Sequence, residues 1–365
     1  MQCAGPFGVA DKVGSVREGT ISSTPKSLGD GPLVSLVILN YNGLRFMGAE
    51  PLKECLDSVV GCSYPHLEVI FVDNGSDDGS SDFVAKAYGN RVLVVRNEHN
   101  IGCGEGFNAG IEVSNGEYVV TIPNDLVVER DWLEPVVSLM ESDSRIAITG
   151  CKRLRYGTDR VIDAIGGDLS LSGRLIPIGN DKVDKGQYDS NRDDLDFIGI
   201  QIIRRKVIDQ IGMFDPGYSP FFSEDLDLCF RARKAGYRLV YVFNAVVWHR
   251  GGETFKGLSR REVSRAFVTY MAERNRIRTN LIHFLVKRIF SAFLLDFVWV
   301  VVEPDCTTKR MLLKAYLWNL KHVAVTLRKR REIGPSPPYG CKYGQHLASL
   351  RDPVARLLRI QRRRV

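Results

Sequence analysis

Four apolar runs, each ending in a cluster of Asn, Asp and Gly, limit this chain to few folds. The first, LVSLVILNYN (33–42), is continuously apolar, as suits a strand buried on both faces. LEVIFVDNGSDDGS (67–80) reads as strand, loop and helix start, and RVLVVRNEHN (91–100) and EYVVTIPND (117–125) repeat the strand-then-polar pattern. Helical spacing lies between them. Leu52, Leu56, Val59 and Val60 share one face from about Ala49 to Val60, and GFNAGIEVS (106–114) follows the third strand. Strands alternating with helices predict an α/β fold, a mostly parallel sheet flanked by helices. In such a sheet ligands bind in the crevice beyond the carboxyl ends of the strands. The polar clusters fall there: Asn40-Tyr41-Asn42, Asp73-Asn74-Gly75-Ser76, Asn97 to Gly106, and Asn124-Asp125. They are expected to converge on one cleft.

At 365 residues and 44% hydrophobic, the chain can bury a large core and still carry an appendage. Its first residues lack a basic start followed by an apolar run, so no signal peptide is expected. Residues 1–32, rich in Gly, Ser, Thr and Pro, read as a flexible leader. The eight Cys show no CxxC pair, which points to reduced thiols in a cytosolic protein. The net charge of +7 is a property of the C-terminal end, because the body of the chain before residue 328 is close to neutral. A catalytic unit is expected over 33–262, a helical amphipathic and apolar extension over 263–327, and a basic tail over 328–365.

LIHFLVKRIFSAFLLDFVWVVV (281–302) is strongly apolar but interrupted by Lys287, Arg288 and Asp296. A spanning helix needs about 20 apolar residues, so a segment lying in the membrane interface is expected instead. The basic residues at Arg274–Arg278, Lys287–Arg288, RKRR (328–331) and RIQRRR (359–364) would face anionic lipid. Packing on its own domain, or on a second copy in a homo-oligomer, is the competing use of the segment. Aromatics are not interleaved with the tail's charges, so no nucleic-acid partner is expected.

Four stretches carry candidate chemistry. FFSEDLDLCFRARKAGY (221–237) clusters Glu224, Asp225 and Asp227 after two aromatics. Acids there can cap a helix from about Leu226 to Ala235, stopped at Gly236. VDNGSDDGS can offer carboxylate, amide and backbone N–H groups to a base or ribose, or simply turn strand into helix. NEHNIGCGEGFNAG (97–110) contains GxGxG, but it follows the third strand, where a dinucleotide fingerprint would follow the first. In TIPND, Asp125 sits just past a buried strand, where a carboxylate can hold Mg²⁺ or Mn²⁺ against a diphosphate. In VVWHRGG (246–252), His249 ends an apolar run and opens a Gly turn.

Taken together, VILNYNG, VDNGSDDGS, the Asn100–Gly110 repeat, PND, FFSEDLDLCFRARKAGY and WHRGG resemble the family 2 nucleotide-sugar glycosyltransferases with the GT-A fold. The rhamnosyltransferase-like branch is the nearest in pattern, and ERNRIR (273–278) looks like the segment that follows its core. The resemblance implies that Asp225 is the catalytic base, with Glu224 and Asp227 as partners that hold or cap. Like charge nearby would raise the pKa of Asp225. Phe221 and Phe222 would wall the acceptor side. Asn40, Tyr41, Asn42, Asp73 and Asn74 would bind base and ribose, and Asn100, Gly102 and Asn108 would shape the wall near ribose and sugar. Asn124 and Asp125 complete the donor set. A divalent cation, Mg²⁺ or Mn²⁺, would rest on Asp125 and His249. The family's usual Asp-x-Asp is Pro123-Asn124-Asp125 here, so only its last acid is present.

The implied reaction is an inverting transfer of a sugar, a hexose such as rhamnose, from a nucleotide-sugar donor to a lipid-linked or polysaccharide acceptor. The expected location is the cytoplasmic face of a membrane, with peripheral contact through the C-terminal helices. A sugar nucleotidyltransferase and a degenerate sugar-nucleotide-binding scaffold are the alternatives. The first lacks an early Gly-rich loop with a Lys or Arg. The second is at odds with the presence of both Asp225 and His249.

Overall fold

The computed structural model describes residues 31–251 and 264–334. Residues 1–30 of the expected leader and the basic run at 359–364 lie outside the described residues. The sheet begins where the apolar runs begin, with β1 at Val34–Asn40, β2 at Leu67–Asp73, β3 at Leu93–Arg96 and β4 at Tyr118–Pro123. β1 lies between β2 and β4, parallel to both, and β2 pairs with β3 in parallel. Asn40 stands opposite Asp73, and Leu39 opposite Pro123, so these carboxyl ends are level.

The rest of the sheet departs from a parallel array. It contains β5 (Leu126–Val128), β6 (Ile146–Arg155), β7 (Ile162–Ala164), β10 (Ile202–Arg204) and β11 (Arg238–His249). β10 inserts between β4 and β6, antiparallel to both. β11 is parallel to β6 and antiparallel to β5, and β7 hangs antiparallel on β6. The result is a mixed nine-stranded sheet, with β8 (Gly167–Leu169) and β9 (Leu175–Pro177) forming a separate hairpin.

Side chains alternate along β1, so its two faces feed two cores. Leu36 and Ile38 join Phe71 and Trp132 on one side, where the helix Ala49–Val60 adds Leu52, Cys55, Leu56 and Val59. Val37 joins Ile70 and Val72 on the other, with Ile111 of the helix Cys103–Val113 and Leu228 and Phe230 of the helix Glu224–Lys234. Gly110 lets the helix at 103–113 lie against the sheet, since a Cβ there would meet Val37 Cγ1 at 2.3 Å. The helix at 224–234 begins two residues earlier than its apolar pattern suggests and is followed, after its cap at Ala235, by Gly236, whose φ is +89°.

Beyond the sheet a helical layer is built from Arg265–His283, Val286–Val302, Cys306–Lys321 and Val323–Ile333. Ile277, Leu312 and Ala315 form its small core, with Trp299 and Tyr316 against it. Among the described residues no helix is long and apolar enough to cross a membrane. The basic residues of ERNRIR do not face outward. Arg274, Arg276 and Arg278 are each at most 9% exposed. Arg276 pairs with Asp296 at 2.5 Å, and Arg278 with Asp215 at 3.2 Å. The expectation that these arginines meet lipid is therefore corrected: long side chains bury here because each reaches an acid or a carbonyl. Arg288 likewise lies over the Phe284 ring at 3.6 Å and donates to the Ser170 carbonyl. Arg330, placed in the basic tail by composition, donates to the carbonyls of Leu281 and Phe284 and closes the end of the helix at 265–283.

Candidate active site

A cavity of about 320 Å³ opens beyond the carboxyl ends of β1 and β4. Tyr41, Asn74, Asn100, Asn124, Asp125, Glu224, Asp225 and His249 line it. Residues from Tyr41 to His249 are thus brought to one cavity. The other sequence candidates lie behind this lining and hold it up. Asn40 is fully buried; its Oδ1 accepts from Asn124 Nδ2 at 2.6 Å and its Nδ2 donates to Ser76 Oγ. Asp73 accepts from the Ser76 N–H, and Asn42 Oδ1 from the Asp77 N–H. Asn108 exchanges two hydrogen bonds with the backbone of Phe214, fixing that loop on the helix at 103–113. Gly102 packs where a Cβ would meet Ser219 Oγ at 2.3 Å.

Asn74 is the joint of the lining. Its Nδ2 donates to Asn100 Oδ1 and to the Gly102 carbonyl, both at 3.0 Å, while its Oδ1 accepts from Asn97 Nδ2 at 2.9 Å. This one amide ties the loop after β2 to the loop after β3.

Asp125 and His249 meet because β11 pairs with β5, which puts His249 opposite Leu126. His249 Nε2 lies 3.4 Å from Asp125 Oδ2, and its Nδ1 lies 2.9 Å from Asp163 Oδ2. Burial lowers the pKa of His249, but the two carboxylates outweigh it and the net shift is upward. Burial likewise raises Asp163, yet His249 and Arg153 hold it down at about 2. With Asp163 as acceptor at Nδ1, the Nε2 lone pair of a neutral His249 faces Asp125. A carboxylate that orients a ligating imidazole in this way is a recurrent support of metal sites. The donor set, one carboxylate oxygen and one imidazole nitrogen, fits a divalent cation that takes its remaining ligands from diphosphate and water. Among the described residues no cluster of three or more His, Cys, Asp or Glu could hold a metal unaided.

Glu224 and Asp225, which also line the cavity, open the helix at 224–234, so the capping reading of these acids holds in part. Asp225 Oδ1 accepts from the Leu226 N–H at 2.8 Å, and the Asp225 carbonyl accepts from Gln201 Nε2 at 2.9 Å. Both carboxyls have raised pKa values. Burial is the largest cause for each, and the two neighbouring carboxylates repel each other. Glu224 Oε2 and Gln201 Oε1 are buried here without a hydrogen-bond partner among the described residues. Buried polar atoms are normally satisfied, so a polar ligand is the natural complement.

The turn entering this helix is strained. Phe222 and Ser223 have φ of 76° and 71°, and a non-glycine residue held there costs about 1–3 kcal/mol. Asp227 plays a different part. It is fully buried, 2.7 Å from Arg231 and 2.6 Å from His283, and docks the helical layer on the sheet. Burial would raise its pKa, but Arg231 and His283 bring it far below the carboxylate range.

Arg153, Asp163 and Gln201 are functional candidates that the motifs did not reveal. Arg153 lines the cavity and pairs with Asp163. All three lie between the recognisable motifs, Arg153 on β6, Asp163 on β7 and Gln201 just before β10, with partners that only the fold supplies.

Residues 35–211 match the family described as Glycosyl transferase family 2, and residues 200–324 match Glycosyl transferase family group 2. An uncharacterized glycosyltransferase of Rickettsia felis is 32% identical over 140 residues, 38% of this chain and 21% of its own length. Glycosyltransferase AglE of Haloferax volcanii is 26% identical over 231 residues, 60% of this chain and 67% of its own. The chain thus spans about a fifth of the former relative. A structure of GalNAc-T7 with UDP, GalNAc and Mn²⁺ aligns with a TM-score of 0.57 at 16% identity, covering 82% of this chain and 58% of that one. That likeness is one of fold, and the fold is GT-A. Residues 35–211 are thus similar to the Glycosyl transferase family 2 domain, on a GT-A fold.

Proposed function

We propose that the chain is an inverting glycosyltransferase that moves a sugar from a nucleotide-diphosphate donor to a hydroxyl of a lipid-linked or glycan acceptor. The observation that carries this is one cavity lined both by Asp125 and His249 and by Glu224 and Asp225. Asp225 takes the proton of the acceptor hydroxyl while that oxygen bonds to the anomeric carbon. The bond from that carbon to the diphosphate breaks with its electron pair on the leaving oxygen, so the configuration inverts. The raised pKa of Asp225 suits a base, because proton affinity near working pH favours transfer. Arg153 places a fixed positive charge in the same cavity for the diphosphate. Asp125 and His249 would hold a Mg²⁺ or Mn²⁺ ion, which would neutralise the leaving group's charge. Tyr41, Asn74, Asn100 and Asn124 line the donor side, with Asn40, Asn42, Asp73, Gly102 and Asn108 supporting them. A rhamnosyl donor is the reading that the motif pattern favours.

Membrane contact belongs to the same proposal. Val286, Phe290, Phe293, Leu294, Phe297 and Val301 are all more than half exposed on one helix. Exposed Lys287, Arg310, Lys314 and Lys321 lie on this helix and the next. An apolar stripe with basic neighbours fits the surface of an anionic bilayer, where the lipid-linked acceptor resides.

Thermal unfolding with UDP, GDP, dTDP and CDP, each with and without Mn²⁺, tests the reading. One nucleotide at 100 times its Kd should stabilise the fold by about 2.7 kcal/mol, and more with Mn²⁺. Asp225→Asn should retain that shift yet turn over the matching sugar nucleotide about 100-fold slower or worse. Stabilisation by no nucleotide would sink the proposal, and turnover unchanged in Asp225→Asn would remove the base from it.

A further inference from the structure

Asn275 is fully buried in the helix at 265–283. Its Nδ2 donates to the carbonyls of Tyr218, Phe221 and Phe222 at 2.7, 2.8 and 2.9 Å. An amide nitrogen carries two N–H groups, so three acceptors share them. These carbonyls belong to a single turn that runs straight into Glu224 and Asp225. Within it Phe222 and Ser223 occupy the left-handed region, and Ser223 makes no side-chain cap to the helix it precedes.

The helical layer grips this turn together with the segment after β3, where the Cys103 N–H donates to the Pro220 carbonyl at 2.7 Å and Ser219 Oγ donates to the Ile101 carbonyl at 3.1 Å. Neighbours of Asn275 strengthen the grip. Arg274 donates to the Ser219 carbonyl, and Thr279 Oγ1 lies 3.3 Å from the Tyr218 hydroxyl. On the sheet side Gln201 holds the carbonyl of Asp225 itself. The main chain that carries Asp225 is thus clamped between Gln201, just before β10, and the helix at 265–283. Such strained conformations persist only where their surroundings over-determine them.

We infer that Asn275 is a positioning residue for Asp225, holding the turn in the conformation that aims the base into the cavity. The inference rests on the proposed role of Asp225 as base. It gives the segment after the sheet a part in the reaction without any contact to the sugar nucleotide.

The test is Asn275→Ala in the full chain, read by kinetics and by hydrogen exchange. Without the clamp the turn relaxes and the base moves. A displacement of about 1 Å can cost about 100-fold, so kcat should fall by that order while the donor KM stays within about twofold. The acid limb of the kcat profile should move to lower pH, since Asp225 loses burial as the turn opens. Exchange at residues 218–226 should speed up while the strands of the sheet keep their protection. Ser223→Gly added to Asn275→Ala should recover part of kcat, because glycine adopts positive φ without strain.

A purely structural role predicts something else: activity lost in proportion to folded fraction, an unmoved pH profile and no recovery from the glycine. That result would overturn the inference, as would unchanged exchange over 218–226 in folded Asn275→Ala. If that variant does not fold, Asn275→Gln keeps the donors one methylene out of place and carries the same readouts. Wild-type protein that turns over no sugar nucleotide would sink the glycosyltransferase reading, while exchange would still decide the clamp.

Discussion

Asp163 decides what His249 can do. A neutral imidazole ligates through one nitrogen while the other carries its proton, and the partner of the second nitrogen fixes which is which. Asp163 lies at Nδ1, so Nε2 is presented to Asp125. Asp163→Asn should weaken Mn²⁺ binding about 10–100-fold, the usual cost of losing an orienting carboxylate, as titration calorimetry would show. The pH dependence has a definite sign. His249 has a raised pKa, so in acid its proton competes with metal, and Mn²⁺ affinity should rise with pH until His249 is neutral. Removing Asp163 takes away one cause of that raise, so the plateau should be reached at lower pH. Asp125 and His249 were legible in the sequence because each ends an apolar run. Asp163 was not: it sits on the three-residue strand β7, and only the pairing of β7 with β6 brings it close.

At the scale of elements, the helical layer is attached through buried charge. Asp296 interrupts the most apolar segment of the chain, and in sequence it looks like a defect in a membrane helix. In the fold it is 1% exposed and accepts from Arg174 at 2.8 Å, Arg276 at 2.5 Å and the Tyr316 hydroxyl at 2.6 Å. It marks the helix face that turns toward protein, and Phe290, Phe293 and Phe297 mark the other. Asp296→Ala would leave Arg174 and Arg276 sharing Glu273 as their carboxylate partner, and weakening a buried charge network costs up to about 3–5 kcal/mol. Thermal unfolding should show a drop of that order. A loss of less than about 1 kcal/mol would show that solvent reaches these arginines freely.

The same elements show what sequence patterning can and cannot convey. The helix at 49–60 and the strands β1, β2 and β4 follow directly from apolar spacing, because each buries side chains in a local periodic pattern. β10 breaks the expected parallel order with only three residues, too few for a period to register. The arginines of ERNRIR look like surface charge, since nothing in a linear reading announces that their acids lie at Asp215 and Asp296.

For the whole molecule, the open question is what covers the apolar face of the helix at 286–302. Phe290, Phe297 and Val301 are 69%, 62% and 68% exposed, which is expensive in water unless a partner covers them. A second copy would bring its own exposed lysines and arginines against this one, and like charges oppose that pairing. An anionic bilayer meets both the stripe and the charge. Vesicles of phosphatidylserine and phosphatidylcholine should therefore sediment the protein, and neutral vesicles should do so less. Binding should weaken as salt rises, because exposed charges are screened over about 10 Å at 0.1 M. Burying a Phe side chain is worth about 1.5–3 kcal/mol, so Phe290→Ser with Phe297→Ser should weaken vesicle binding about 100-fold or more. Those substitutions alter an exposed face, and thermal stability should change by less than about 1 kcal/mol. Equal binding to neutral and anionic vesicles would leave the basic residues without the part given to them. A dimer in solution that the double substitution converts to monomer would instead assign the face to a second copy of the chain.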